Sequence, residues 1–92
     1  MKKETNNLIQ VFKALANEDR IEIIRLLKKN KEMCAQDVEK HFFLEQSTTS
    51  HHLNTLKRSC LTKARKKGRN IFYSLDKDGI ASISKLLKDL TS

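Results

Sequence analysis

The sequence predicts a mainly α-helical fold that carries one small β-hairpin, within a single domain over residues 1–92. Apolar residues recur at every third or fourth position near the start of the chain and again near its end, which is the spacing of helices with one buried face. Gly68 separates two short runs of strand-forming residues, and glycine readily takes the positive φ angle that a hairpin turn demands.

The first two helices follow from apolar spacing and from a capping signal. Helix 1 is placed near the start of the chain by an apolar stripe at Leu8, Val11, Phe12, Leu15 and Ala16. Helix 2 is expected from about Glu18 to Lys29, because Asn17 can accept hydrogen bonds from free amides and the acids after it face the positive helix end. The residues expected to face one way on helix 2 are Ile21, Ile24 and Leu27.

The remaining elements are shorter. Residues 35–43 predict a third helix, residues 47–58 predict a fourth, and a short link joins the two. Residues 61–66 and 69–75 predict the strands of the hairpin, with Lys67 and Gly68 in its turn. A fifth helix follows, on an apolar seam spaced three, four and three residues apart at Ile80, Ile83, Leu87 and Leu90.

Positive charge is concentrated in the fourth helix and the hairpin. The 92 residues hold 19 Lys and Arg against 11 Asp and Glu, a formal net charge of +8. No acid occurs from residue 46 to residue 75, whereas the same window holds Lys57, Arg58, Lys63, Arg65, Lys66, Lys67 and Arg69. This segregation favours a polyanionic partner, nucleic acid first and an anionic membrane second.

Membrane insertion and secretion are not expected. The sequence lacks a run of about 18 apolar residues, and no apolar stretch of the signal-peptide type follows its lysine-rich start. Two cysteines, Cys34 and Cys60, are too few for a disulfide framework and fit a reducing compartment. We therefore expect a cytoplasmic protein without a membrane partner.

The side chains on the polar face of the fourth helix indicate what this helix contacts. At about 100° per residue, one arc of this helix collects Ser47, Ser50, His51, Asn54 and Arg58. The opposite, apolar side carries Thr49, Leu53 and Leu56. A helix that is merely kept soluble usually carries Glu and Lys pairs, whereas hydroxyl, imidazole, amide and guanidinium groups reach base edges and phosphate oxygens.

Two helices joined by a short link and followed by a basic hairpin make a winged helix-turn-helix. Double-stranded DNA is then the expected partner, with helix 47–58 lying in the major groove. The wing, residues 61–75, would hold the neighbouring backbone or minor groove. Its contacts are expected from Arg65, Lys66, Lys67 and Arg69.

Three segments, in order, resemble the arsenic-repressor (ArsR/SmtB) family of small transcription regulators. They are ALANEDRIEIIRLL at residues 14–27, LEQSTTSHHLNTLK at residues 44–57 and KKGRNIFYSL at residues 66–75. The resemblance implies a repressor that binds an inverted-repeat operator and releases it when an effector arrives. By position in the second segment, it implies DNA contacts from Gln46, Ser47, Thr48, Ser50 and His51.

The same resemblance implies a homodimer packed through the first and last helices. This agrees with the apolar stripes that both helices carry. The residues expected in the interface are Leu8, Val11, Phe12, Leu15, Ile80, Ile83, Leu87 and Leu90.

The chain departs from the family pattern where effectors bind. Arsenic- and cadmium-type sensors carry Cys-x-Cys at the start of the third helix, but this chain has Cys34-Ala35-Gln36. The zinc-type site needs histidine in the last helix, and residues 76–92 contain none, so we expect no metal and no cofactor. Cys60 stands where relatives commonly have glycine, which costs on the order of 1 kcal/mol if that turn needs a positive φ.

Two other functions stay open at this point. A winged helix can serve as a protein-interaction module whose wing docks an acidic partner. A regulator that responds to thiol oxidation could use Cys34 and Cys60, which a bridge would require to lie within about 7 Å at their Cα atoms. An enzyme is not expected, because no nucleophile, base and orienting group recur at a recognisable spacing and no glycine-rich phosphate loop is present.

Overall fold

The computed structural model describes residues 2–92, which form five helices and one three-stranded antiparallel sheet. In chain order the elements are α1 (Lys2–Leu15), α2 (Glu18–Asn30), β1 (Glu32–Cys34), α3 (Ala35–Phe42), α4 (Gln46–Arg58), β2 (Thr62–Lys67), β3 (Asn70–Leu75) and α5 (Lys77–Thr91). The predicted fold class is confirmed. The helices α2, α3 and α4 begin and end within one residue of their predicted bounds.

The sheet has one strand more than the sequence predicts. Its order is β1-β3-β2, so β3 is central, and the residues of β1 pair with Ser74, Tyr73 and Phe72 of β3. A strand of three residues is too short to show the alternating pattern from which strands are predicted. Its strand conformation becomes evident only beside β3.

The hairpin turn lies one residue later than predicted. Pairing of β2 with β3 continues to Lys67 and Asn70, so the turn is formed by Gly68 and Arg69 rather than by Lys67 and Gly68. Gly68 has a φ of 62°, and a glycine with positive φ at the first turn position is the pattern of a type II′ turn. Arg69 therefore lies at the tip of the wing.

Side-chain caps fix where two helices begin. The Asn17 side chain accepts a hydrogen bond from the Arg20 amide at 3.1 Å, which confirms the predicted cap of α2. At the start of α5, the Asp76 side chain accepts from the Gly79 amide at 2.9 Å. Such caps contribute typically about 1 kcal/mol each because they satisfy amides that a helix end leaves free.

The core lies between the first four helices and the inner face of the sheet. From α2 it takes Ile23, Leu26 and Leu27. Of the predicted trio, Leu27 is buried and Ile24 packs partly buried against the core, whereas Ile21 is 37% exposed. Apolar residues occupy five of the seven positions 21–27. The spacing alone therefore allows more than one buried face.

The two terminal helices pack side by side, with α1 also touching α2 and α4. Leu8 and Val11, both expected in a subunit interface, are instead buried inside the protomer at 8% and 3% exposure, because this side of α1 faces the neighbouring helices. Phe12, Leu87 and Leu90 remain exposed. Within residues 2–92, no helix combines the length and apolar character that crossing a bilayer requires.

Candidate nucleic-acid interface

A tight turn delivers the chain from α3 into α4. Phe43 adopts the left-handed conformation, with φ 55° and ψ 38°, and its amide donates to the Glu39 carbonyl. The Leu44 amide donates to the same carbonyl at 3.0 Å. These two bonds satisfy a carbonyl group at the end of α3, so the helix can end in a tight turn. Only three residues separate α3 from α4, which is the compact link of a helix-turn-helix.

The rotation of α4 is fixed by what it buries. Thr49, Leu53 and Leu56 have 0% exposure and His52 has 6%, as the helical spacing predicts for this side. Side chains on the opposite side are exposed at Gln46, Ser47, Thr48, His51, Asn54 and Arg58, and Ser50 at the edge is half-buried. The polar face predicted for DNA contact therefore points away from the protein.

His52 ties α4 to α2. The Arg20 guanidinium donates to its Nδ1 at 3.3 Å, so Nε2 carries the proton, and that atom lies 3.8 Å from a carboxylate oxygen of Asp19. Burial is the main cause that lowers the pKa of His52, and the charge of Arg20 lowers it further against the opposing charge of Asp19. A neutral imidazole in this place orients α4 instead of reaching DNA.

Arg20 also anchors the end of α1. Its Nε donates to the Ala14 carbonyl at 2.7 Å, and Nη2 donates to the Lys13 carbonyl at 3.3 Å. These carbonyls belong to the last turn of α1, where a cation is favourable. One side chain thus joins α1, α2 and α4, a role that sequence spacing gave no means of detecting.

The wing cations are divided between two faces of the sheet. Side chains alternate along a strand, so Lys66 shares the core-side face with its partner Ile71, and Arg65 and Lys67 lie on the outward face with Phe72 and Asn70. All four predicted wing cations, Arg65, Lys66, Lys67 and Arg69, are exposed. The structure therefore separates residues that the sequence grouped together.

A cleft of about 250 Å³ joins α4 to the wing tip. Gln46 and Ser50 line it from α4, whereas Arg69, Asn70 and Ile71 line it from the hairpin. Cys34 and Glu39 contribute from the segment around α3. The structure thus brings the start of α4 and the tip cation onto one concave surface, although Ser50 and Arg69 are 19 positions apart in the chain.

Arg65 differs from the other wing cations because it already has a carboxylate partner. Its Nε and Nη2 donate to the two carboxylate oxygens of Glu32 at 2.6 and 2.7 Å, and its guanidinium lies 5.6 Å from the centre of the Phe72 ring. The hydrogen bond from Arg65 is the main cause that lowers the pKa of Glu32. Arg65 was expected to contact DNA, but its charge is engaged within the protein.

The comparisons with known proteins agree with this geometry. The profile of the arsR family of bacterial regulatory proteins matches residues 17–59. An uncharacterized HTH-type transcriptional regulator, MJ1325 of Methanocaldococcus jannaschii, is 38% identical over 81 residues, which are 88% of this chain and 91% of that protein. The chain belongs to the arsR family. It is a winged helix-turn-helix transcriptional regulator.

Two further proteins are similar to this arsR-family chain, one compared by sequence and one by structure. The transcriptional repressor SdpR of Bacillus subtilis is 41% identical over 66 residues, 72% of each chain. The solution structure of a homodimeric winged helix-turn-helix domain from Mycobacterium bovis, described as a possible ArsR-family regulator, is 26% identical with a TM-score of 0.77. That comparison covers 95% of this chain and 80% of the other, so it includes the wing and α5, which lie beyond the matched profile.

The cysteines of this arsR-family chain lie in two different clefts. Cys34 lines the cleft between α4 and the wing, whereas Cys60 is exposed in a cavity formed with Asn7, Gly79 and Ser82. Neither forms a disulfide in the described chain. Cys60 has a φ of 62°, so the turn after α4 does require the positive angle that glycine adopts more easily. Residues 2–92 contain no cluster of three or more His, Cys, Asp and Glu side chains suited to a metal ion.

Proposed function

We propose that this protein is a dimeric repressor that binds an inverted-repeat operator in double-stranded DNA. Helix α4 would lie in the major groove, and the wing would lie against the backbone or minor groove beside it. The observation that carries the proposal is the outward polar face of α4, which shares a concave surface with the Arg69 wing tip. A repressor acts on the chromosome, so we place the protein in the cytoplasm.

The roles on α4 and the wing follow from side-chain chemistry. Short hydroxyls, amides and an imidazole can pair with base edges in the major groove, where every base pair shows a distinct pattern of donors and acceptors. We assign this task to Gln46, Ser47, Thr48, Ser50, His51 and Asn54. Cations bind phosphates without sequence preference and set the register, and we assign this task to Arg58, Lys66, Lys67 and Arg69.

A homodimer would place two copies of α4 on the two halves of an inverted repeat. The apolar surface available for it runs along α1 and α5 at Phe12, Leu87 and Leu90, which are 49%, 42% and 67% exposed. The half-buried residues Leu15, Ile80 and Ile83 lie behind it. The homodimeric Mycobacterium bovis relative supports this assembly.

The proposal is tested by selecting a preferred duplex from random DNA and then titrating the protein against it at several salt concentrations. Affinity should fall steeply with salt, because each neutralised phosphate contributes a slope of about 0.9 in log affinity against log salt. Replacing Ser50, His51 and Asn54 together by Ala should abolish sequence preference, at about 1–3 kcal/mol for each good base contact, while binding to random duplex persists.

The same experiment distinguishes the other functions. A surface that merely docks an acidic protein would tolerate alanine at Ser50, His51 and Asn54, and the wild-type protein would then select no duplex sequence. A thiol switch predicts that mild oxidation changes operator affinity and links Cys34 to Cys60. If mass spectrometry finds no linkage between Cys34 and Cys60 and titration finds no change in operator affinity, the thiol switch is excluded.

A further inference from the structure

The outward face of the sheet carries one interaction that crosses all three strands. Arg65 belongs to β2, Glu32 to β1, and Phe72 to the central strand β3 between them. Arg65 pairs in register with Phe72, and Phe72 pairs with Cys34 two residues beyond Glu32. The Arg65 side chain therefore passes over the Phe72 ring to reach a carboxylate on the far strand.

The geometry of this contact is specific to arginine. Two parallel N–H donors meet the two carboxylate oxygens at 2.6 and 2.7 Å, a forked pairing that lysine cannot form. The aromatic ring 5.6 Å below the guanidinium adds a cation–π contact. We call this arrangement of Glu32, Phe72 and Arg65 the cross-strand clamp.

The clamp lies at the base of the part of the wing that would reach DNA. Beyond the Arg65–Phe72 pair, only the pairs Lys66–Ile71 and Lys67–Asn70 remain before the turn. β2 is an edge strand that pairs with β3 in the sheet. Among the described residues, the side-chain hydrogen bonds that tie β2 directly to β1 are those from Arg65 to Glu32. Glu32 occupies the Nε and Nη2 donors of Arg65, and its carboxylate offsets the guanidinium charge that would attract a phosphate.

We propose that Arg65 is a positioning residue that, through Glu32, sets the orientation of the wing tip, and that the phosphate contacts of the wing belong to Lys66, Lys67 and Arg69. This rests on the proposed DNA-binding function. Arg65, which the sequence predicts as a DNA contact, instead holds in position the wing residues that make those contacts.

The two possible roles of Arg65 predict opposite changes in the operator affinity of the Glu32→Gln variant. If Arg65 positions the wing, Glu32→Gln weakens operator binding about three- to five-fold, as expected for a surface pair of modest strength, although the change removes a negative charge near DNA. If Arg65 binds phosphate, Glu32→Gln releases it and binding becomes tighter. Arg65→Gln should weaken binding by a similar factor with the salt slope unchanged, because no phosphate contact is lost.

A charge exchange supplies the matched control. Glu32→Arg combined with Arg65→Glu keeps the net charge and can restore the pair, so operator affinity should return to within about two-fold of wild type. A phosphate-binding Arg65 would make the same protein at least about ten-fold weaker, since it would set a carboxylate against DNA. Lys63→Gln removes a cation two residues away on the same face and should leave the clamp intact.

Hydrogen exchange tests the clamp independently of DNA. The amides of Lys67 and Asn70, which form the ladder pair beside the turn, should exchange faster in Glu32→Gln and Arg65→Gln than in wild type and Lys63→Gln, and the charge exchange should restore slow exchange. Unchanged exchange in both single variants overturns the positioning role, whatever their DNA affinity. If the clamp variants loosen the wing but wild type selects no duplex sequence, the proposed function fails while the clamp stands.

Discussion

The helices α4 and α5 have similar lengths, 13 and 15 residues, yet they bury different amounts of side chain. α4 buries Thr49, His52, Leu53 and Leu56 within the protomer. None of the α5 residues 77–91 is fully buried, although this helix carries the apolar seam that ends in Leu87 and Leu90. α4 finds its packing partner inside the chain, whereas α5 keeps an apolar surface for which the protomer offers no cover.

This difference shows how a short chain divides its apolar residues. The buried side chains of α4 already hold this helix against the protomer, so its exposed face is free to be polar. α5 instead exposes Leu87 and Leu90. Exposed apolar side chains lower the solubility of a monomer, and a second copy that covers them removes this cost. The contrast supports the proposed division of roles, with recognition by α4 and assembly through α5, and four predictions probe it.

The largest effect is expected at the buried side of α4. Leu53→Ala should lower the free energy of unfolding by about 2–5 kcal/mol, because Leu53 is completely buried and its removal leaves a cavity. Urea denaturation followed by circular dichroism measures it. Asn54→Ala, on the exposed side of the same helix, should stay within about 0.5 kcal/mol; equal losses at the two positions would contradict the orientation of α4.

A large effect of a different kind is expected at the exposed seam of α5. Leu87→Glu combined with Leu90→Glu should raise the dimer dissociation constant at least about 100-fold, since burying each leucine contributes about 1.5–3 kcal/mol. Sedimentation velocity across protein concentrations measures the change, and the helical content per chain should be preserved. Wild-type protein that stays monomeric at high concentration would refute the assignment of α5.

A smaller, stabilising effect is expected in the turn after α4. Cys60→Gly should raise the free energy of unfolding by up to about 1 kcal/mol, because a side chain at φ 62° is strained there. Thermal unfolding of Cys60→Gly and Cys60→Ala separates the backbone effect from loss of the thiol. Only the glycine variant should gain stability, and an equal gain in both would contradict the strain.

The smallest effect is a pH dependence that depends on His52. The fold lowers the pKa of His52 below its ordinary value near 6.5, so the unfolded chain takes up a proton at a higher pH than the folded one. Stability is therefore complete above about pH 6.5 and declines as the pH falls below it. His52→Asn, which keeps an acceptor for Arg20, should flatten the melting-temperature profile between pH 7 and 5. His51→Asn should change the profile much less, because it leaves the burial of His52, the main cause of the lowered pKa, in place.

The parts of the structure that sequence predicts are those with local, periodic causes. The polar and apolar sides of α4, the Asn17 cap and the hairpin at Gly68 each depend on residues a few positions apart. The same logic was only partly right for α2, where Ile21, Ile23 and Ile24 all suit a buried face, and packing against the other elements buries Ile23 and leaves Ile21 exposed.

The parts that sequence could not predict depend on contacts distant in the chain. Strand β1 exists because β3 pairs with it, 38 to 42 residues later. The engagement of Arg65 by Glu32 spans 33 residues, and no charge count distinguishes Arg65 from Lys66. The burial of Leu8 and Val11 likewise follows from how α1 lies against its neighbours, which the stripe itself does not specify.

The close approach of Gly79 to the turn after α4 has a mechanical consequence. A side chain at Gly79 would overlap the Cys60 carbonyl oxygen, and the Asp76 amide donates to the Leu61 carbonyl at 3.1 Å nearby. The first turn of α5 is therefore in direct backbone contact with the turn that follows α4. In the proposed dimer, this contact would couple the docking of the α5 helices to the spacing of the two α4 helices, so a shift of α5 would move the proposed recognition surface with it.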